Sequence, residues 1–149
     1  IGLGMAISSM ISGNSFNVYV LLGDGECNEG SIWEAATMAV AQKVENLTIF
    51  VDANKWQATD RSADLVGSTS LKDKWHAFGW NTYEIEGNEM QQILNVLEEK
   101  PVKGVPTAIM LNTVKGKGVS FMEDNNNWHY RIPNAEEVEL AFHELSVEL

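Results

Sequence analysis

The sequence predicts an α/β fold, a mostly parallel sheet with helices on both faces, and three observations carry that prediction. Two short apolar runs rich in β-branched residues, NVYVLL and LTIFVDA, read as buried strands, the first of them buried on both faces. Between them lies SIWEAATMAVAQK, a run of strong helix formers. Two more strand patterns follow downstream, again separated by helical segments, and that alternation implies βαβ crossovers. No repeat, low-complexity tract or linker interrupts the pattern, so residues 1–149 read as one unit.

The elements follow in order. IGLGMAISSMISGN reads as the middle of a small-residue helix. Glycine there costs roughly 0.5–1 kcal/mol relative to alanine, a cost accepted where backbones pack closely. The helix has no N-cap and the chain starts at Ile1 without a basic leader, so we expect a domain lacking its N-terminal part, in a cytoplasmic protein. The first strand spans 17–22, and the helix over 31–43 aligns Ile32, Ala35, Ala36, Ala39 and Val40. The second strand spans 47–53; a polar, turn-rich stretch then runs to about Ser70, and a helix over 71–78 ends at Gly79.

WNTYEIE alternates as a third strand, and Gly87-Asn88 reads as a turn with the N-cap of an amphipathic helix, EMQQILNVLEEK, stopped by Pro101. PTAIMLNT is the fourth strand, and KGKGVSFMEDNNNWHYRIPN reads as a long irregular loop. The last helix, AEEVELAFHEL, carries Glu136, Glu137, Glu139 and Glu144 on what reads as a solvated face.

Composition narrows the function classes. Ten Lys+Arg against 21 Asp+Glu give a formal net charge of −11, and no basic cluster occurs, which argues against a nucleic-acid or anionic-membrane surface. No apolar run approaches the roughly 20 residues of a membrane helix. The single cysteine, Cys27, leaves no internal disulfide and fits a reducing compartment. It has no evident base partner and reads as passive. His76 and His143 read as structural or solvent-facing, and Trp33, Trp75 and Trp80 as core or interface.

In open parallel sheets, ligands bind beyond the carboxyl ends of the strands. The first strand ends in GDGECNEGS: Gly23, Asp24, Gly25, Glu26, Cys27, Asn28, Glu29, Gly30 and Ser31. Glycine lets the backbone approach a ligand, and the following helix N-terminus favours an anion such as phosphate. Asp24 sets a carboxylate beside that anion, so a hard, oxygen-seeking cation is needed between them. The second strand ends in VDANKWQ, with Asn54 one crossover length (30 residues) after Asp24, where it can reach a neighbouring strand end. A carboxylate, an amide oxygen and a main-chain carbonyl, completed by phosphate oxygens and water, is the arrangement expected for Mg²⁺ holding a diphosphate. Taken alone, GDG also reads as a tight turn.

GDG, about 30 residues, then Asn resembles the thiamine-diphosphate binding motif. The longer text GDGECNEGSIWEAATMAVAQKVENLTIFVDANKWQ looks like its transketolase version, and DKWHAFGW, PTAIMLNTVKGKG and WH followed by PN resemble the small N-terminal subunit of split transketolases. The likeness covers essentially the whole chain.

This resemblance implies thiamine diphosphate as cofactor, held through Mg²⁺ (or Ca²⁺) by Asp24, Asn54 and the main-chain carbonyl of Trp56. Gly23, Gly25 and Glu26 join the cofactor-binding set, together with His129, the loop histidine that also reaches the reacting centre. Glu29 matches a glutamate at the subunit interface that links cofactor sites, and Lys115 and Lys117 lead into the histidine loop. The implied reaction moves a two-carbon ketol unit from a ketose, usually phosphorylated, to an aldose. The implied partner is a C-terminal transketolase subunit carrying the pyrimidine-binding domain, in a heterotetramer. Three features depart from the pattern: Tyr130 follows the histidine, Trp56 is bulky, and Ala58-Thr59-Asp60 replaces a more usual Ile-Asp-Gly. Alternatives are another thiamine enzyme, of the deoxyxylulose-phosphate synthase or 2-oxo acid dehydrogenase type, or a cofactor-binding subunit without turnover.

Overall fold

The computed structural model describes residues 1–146. Its elements in chain order are α1 (Gly2–Ser12), β1 (Val18–Gly23), α2 (Gly30–Ala41), β2 (Leu47–Asp52), α3 (Ser62–Val66), α4 (Leu71–Ala77), β3 (Asn81–Glu86), α5 (Met90–Glu98), β4 (Thr107–Asn112) and α6 (Ala135–Glu144). Single 3₁₀ turns lie at Glu26–Asn28 and Asn126–His129. The four strands form one sheet in the order β1-β2-β4-β3, and all three pairings are parallel. The register sets Gly23 opposite Asp52, so β1 and β2 end side by side.

The core forms where α1, α2 and α4 meet the sheet. Ala36 and Ala39 of α2, Trp75 of α4 and Ala6 of α1 bury against Leu47, Ile49 and Val51 of β2 and Val18 and Leu22 of β1. The tryptophans are packing elements: Trp75 lies 4.9 Å from both Trp33 and Trp80, and the Trp80 indole donates to the Ala36 carbonyl at 3.1 Å. The close approach expected of the first helix is real at Gly2, where a Cβ would stand 2.4 Å from Val20 Cγ2.

Several expectations are corrected. β1 is buried on one face only: α1 packs on the face of Val18, Val20 and Leu22, while Tyr19 and Leu21 on the other face are exposed. The turn-rich stretch before Ser70 contains α3, too short to show a helical period. Asn88 does not cap α5: Glu89 holds the cap position, and the Asn88 side chain instead accepts from the Val114 amide at 2.8 Å. The terminal helix is only partly a solvated face. Glu137 closes a capping box with Asn134 and pairs with Arg131, while Glu144 accepts from both the amide and the hydroxyl of Ser120. The long loop is not irregular throughout, since it includes the turn at Asn126–His129.

Candidate functional site

The ends of β1, β2 and β4 converge. Asp24 follows β1 directly and its amide donates to the Asp52 carbonyl at 3.2 Å; the Ala53 amide donates to the Leu111 carbonyl at 2.9 Å. Asp24 is only 7% exposed. Its carboxylate accepts from the Gly25 amide at 2.8 Å and the Ser62 hydroxyl at 2.5 Å. Burial raises the Asp24 pKa above the ordinary carboxylate value, against the lowering effect of those two bonds, and the nearby Asp52 adds to the rise. A cation at this carboxylate would therefore favour its charged form.

Asn54 lies two residues beyond β2 and is oriented by its neighbours. Its amide nitrogen donates to Asp52 Oδ2 at 2.9 Å, and Asp52 Oδ1 in turn accepts from the Thr113 hydroxyl. With that nitrogen committed, Asn54 Oδ1 faces the Trp56 amide, from which it accepts at 2.9 Å. Lys55 between them has φ 69°, the left-handed turn that carries the chain back past Asn54. Among the described residues no hydrogen bond engages the Trp56 carbonyl.

A cleft of about 680 Å³ opens over these strand ends. Its lining includes Asp24, Asn28, Ala53, Gln57 and Ser62. Four of the chain's ten Lys+Arg line it (Lys55, Arg61, Lys72 and Lys74) against three of the 21 acidic residues (Asp24, Asp64 and Glu84). With Arg61 paired to Asp124, three lysines face three acidic residues, so the cleft is locally near neutral in a strongly acidic chain. One further observation fits a phosphate-bearing ligand: Gln57 Nε2 is buried without a partner among the described residues while its Oε1 accepts from Asn28.

The remaining expected residues are placed as follows. Gly25 stands against the Gln57 side chain, with 3.2 Å from a would-be Cβ to Gln57 Cγ. Glu26 is exposed and its carboxylate accepts from the Gly23 amide at 3.3 Å, so these two engage each other here. Glu29 is exposed at the N-cap of α2 and makes no side-chain cap bond. His129 is exposed, packs edge-on against Tyr130 with ring centroids 4.6 Å apart, and does not line the cleft. Lys117 pairs with Glu123 at 3.4 Å. Cys27 is buried, and burial pushes its thiol up to about 11, so it is protonated at neutral pH. Among the described residues no group of three His, Cys, Asp or Glu side chains could hold a metal ion.

Sequence reasoning missed Ser62, Gln57, Asp52 and the Arg61–Asp124 pair. Ser62 and Gln57 follow Asn54 within a short loop, and that proximity was the available signal. Arg61 and Asp124 lie 63 residues apart, and no spacing rule joins them.

Residues 10–148 match the family described as transketolase, thiamine diphosphate binding domain. The chain is 41% identical over 148 residues to one named subunit of the apulose-4-phosphate transketolase of Actinobacillus succinogenes, covering 99% of this chain and 54% of that protein. It is 39% identical over 122 residues to a 6-deoxy-6-sulfo-D-fructose transketolase subunit of a Clostridium species, covering 81% and 44%. The chain spans about half the length of the curated relatives it matches. The crystal structure of transketolase from Campylobacter jejuni superposes with a TM-score of 0.90 at 23% identity, covering 99% of this chain and 24% of that one, and shares the fold.

Proposed function

The chain belongs to the transketolase family, as its thiamine diphosphate binding domain, and on that premise we propose that it is the diphosphate- and metal-gripping part of a split transketolase. The single observation that carries this reading is that Asp24, which lines the cleft, and Asn54 stand at the ends of adjacent parallel strands. Asp24, Asn54 and the Trp56 carbonyl would hold Mg²⁺ (or Ca²⁺), a hard cation that prefers oxygen donors and would bridge them to the diphosphate's charge. Gly23 and Gly25 let the backbone close on the diphosphate, with Glu26 beside them, and the unpartnered Gln57 nitrogen is a donor for a phosphate oxygen.

Bound thiamine diphosphate supplies a carbon nucleophile and an electron sink for the two-carbon unit. The protein binds, orients and moves protons. His129 would donate a hydrogen bond to the phosphate or to a developing alkoxide. Glu29 stands at the helix start that faces a neighbouring subunit. The donor is a ketose and the acceptor an aldose. The names of the relatives, a phosphorylated and a sulfonated sugar, support a substrate with an anionic group.

The partner is a C-terminal subunit with a pyrimidine-binding domain, in a heterotetramer in the cytoplasm. That three relatives are each named as one subunit of a transketolase supports the partner. So do the exposed apolar residues Met5, Met10 and Ile11 of α1 and Tyr19 and Leu21 of β1. Residues 1–149 are then one diphosphate-binding domain of a longer polypeptide.

The test is calorimetry on the full-length protein assembled with its partner. Asp24→Ala is expected to weaken thiamine diphosphate binding by at least about a hundredfold, since it removes a charged ligand, and added Mg²⁺ should not restore it. Unchanged affinity would remove Asp24 from the site.

A further inference from the structure

We propose that Trp56, Arg61 and Asp124 form a positioning clasp that locks the loop carrying the metal donors to the segment carrying His129; the proposal rests on the functional reading above. Residues 55–62 form a small hairpin. Trp56 and Arg61 make an antiparallel bridge, the Ser62 amide donates to the Lys55 carbonyl at 3.0 Å, and the Gln57 amide donates to the Asp60 carbonyl at 2.9 Å. The hairpin thus presents Trp56 and Arg61 side by side, with the guanidinium 3.7 Å above the indole ring.

Asp124 meets both. Arg61 donates to its two carboxylate oxygens, each at 2.6 Å, and Trp56 Nε1 donates to Oδ1 at 2.8 Å. A bidentate fork with a stacked ring fixes orientation, which a lone exposed ion pair does not. Asp124 is held for this purpose by its own loop: its backbone is left-handed at φ 53°, and its amide donates to the Lys115 carbonyl at 2.9 Å. Two residues on, the Asn126 side chain donates to the Ala58 carbonyl at the hairpin tip at 3.3 Å. Asn126 opens the 3₁₀ turn that ends at His129.

His129 lies outside the cleft wall, so its reach toward the cofactor depends on where this turn is held. The clasp ties that turn to the residue whose carbonyl is the third metal donor. The bulk of Trp56, a departure from the family pattern, thereby acquires a use: an aliphatic side chain offers neither the indole donor nor the shelf for Arg61, and a phenyl ring offers only the shelf.

The test uses the full-length protein assembled with its partner, in three variants: Arg61→Ala, Asp124→Ala and the double. Deuterium exchange of the peptide covering 125–131, read without cofactor, is expected to rise at least about fivefold in each, with the double no worse than either single because they break one unit. In steady state, kcat is expected to fall about ten- to a hundredfold with sugar KM changed less than about threefold, as for a misplaced group. Trp56→Phe, which keeps the ring and loses the donor, should fall between. Exchange unchanged in both single variants would overturn the clasp, whatever the cofactor does. Raised exchange with unchanged kcat would overturn the positioning role. If Asp24→Ala binds cofactor normally while exchange responds as expected, the functional reading fails and the clasp stands.

Discussion

Asp24 accepts from Ser62 and Asp124 from the adjacent Arg61, yet the two carboxyl groups are driven in opposite directions. Burial raises Asp24, whereas the Arg61 guanidinium, and then the Trp56 indole, hold Asp124 down to about 2 from an ordinary 3.8. For a depressed carboxylate, the stabilising contribution is complete above the ordinary value and is lost as pH falls through the folded one. The clasp is therefore expected to be fully formed at pH 5 and above and to open only as pH falls from about 4 toward 2. Carbon-detected NMR titration of the Asp124 carboxyl checks this: a midpoint near 2 is expected, and one near 3.8 would show that Arg61 and Trp56 do not engage it.

At the scale of elements, the loop after β4 is built on glycine. Gly116 has φ 71°, and a Cβ there would stand 2.6 Å from the Met122 carbonyl oxygen. Gly116→Ala is expected to destabilise the protein by about 1–3 kcal/mol, the range for a strained left-handed residue, and to loosen Asp124, which follows soon after the carbonyl it would strike. Urea denaturation measures it; an unchanged midpoint would mean the loop has another conformation. Among the described residues, four strands and five of the six helices were legible in the sequence, from apolar β-branched runs, from alternation or helical spacing of apolar residues, and from runs of small residues or strong helix formers. α3 was not, because five residues hold less than two helical turns. The nearness of Asp24 and Asn54 was legible because strand adjacency converts a 30-residue spacing into proximity, and the structure sets Gly23 opposite Asp52. The outer face of β1 was misread since a run such as VYVLL records apolarity, whereas exposure of Tyr19 and Leu21 depends on what covers them. The clasp was illegible for a different reason: Arg61 and Asp124 meet only through two folded loops.

On the scale of the whole molecule, the described residues form a fully parallel sheet with a cleft at its carboxyl edge and exposed apolar residues on β1, and the chain spans about half the length of its curated relatives. No helix among the described residues is long and apolar enough to cross a membrane. On the proposed reading, a diphosphate grip on this domain would leave the other end of the cofactor to a second domain, for which the exposed apolar residues would offer a surface of the kind that stable interfaces bury. The most direct measurement is a two-component titration with thiamine diphosphate and Mg²⁺ in excess. The full-length polypeptide is held constant while a protein carrying a pyrimidine-binding domain is added, and ketol transfer from a ketose phosphate to an aldose is followed. Activity is expected to be absent from either component alone and to saturate near equal stoichiometry; full ketol transfer by this polypeptide without the second component would contradict the account.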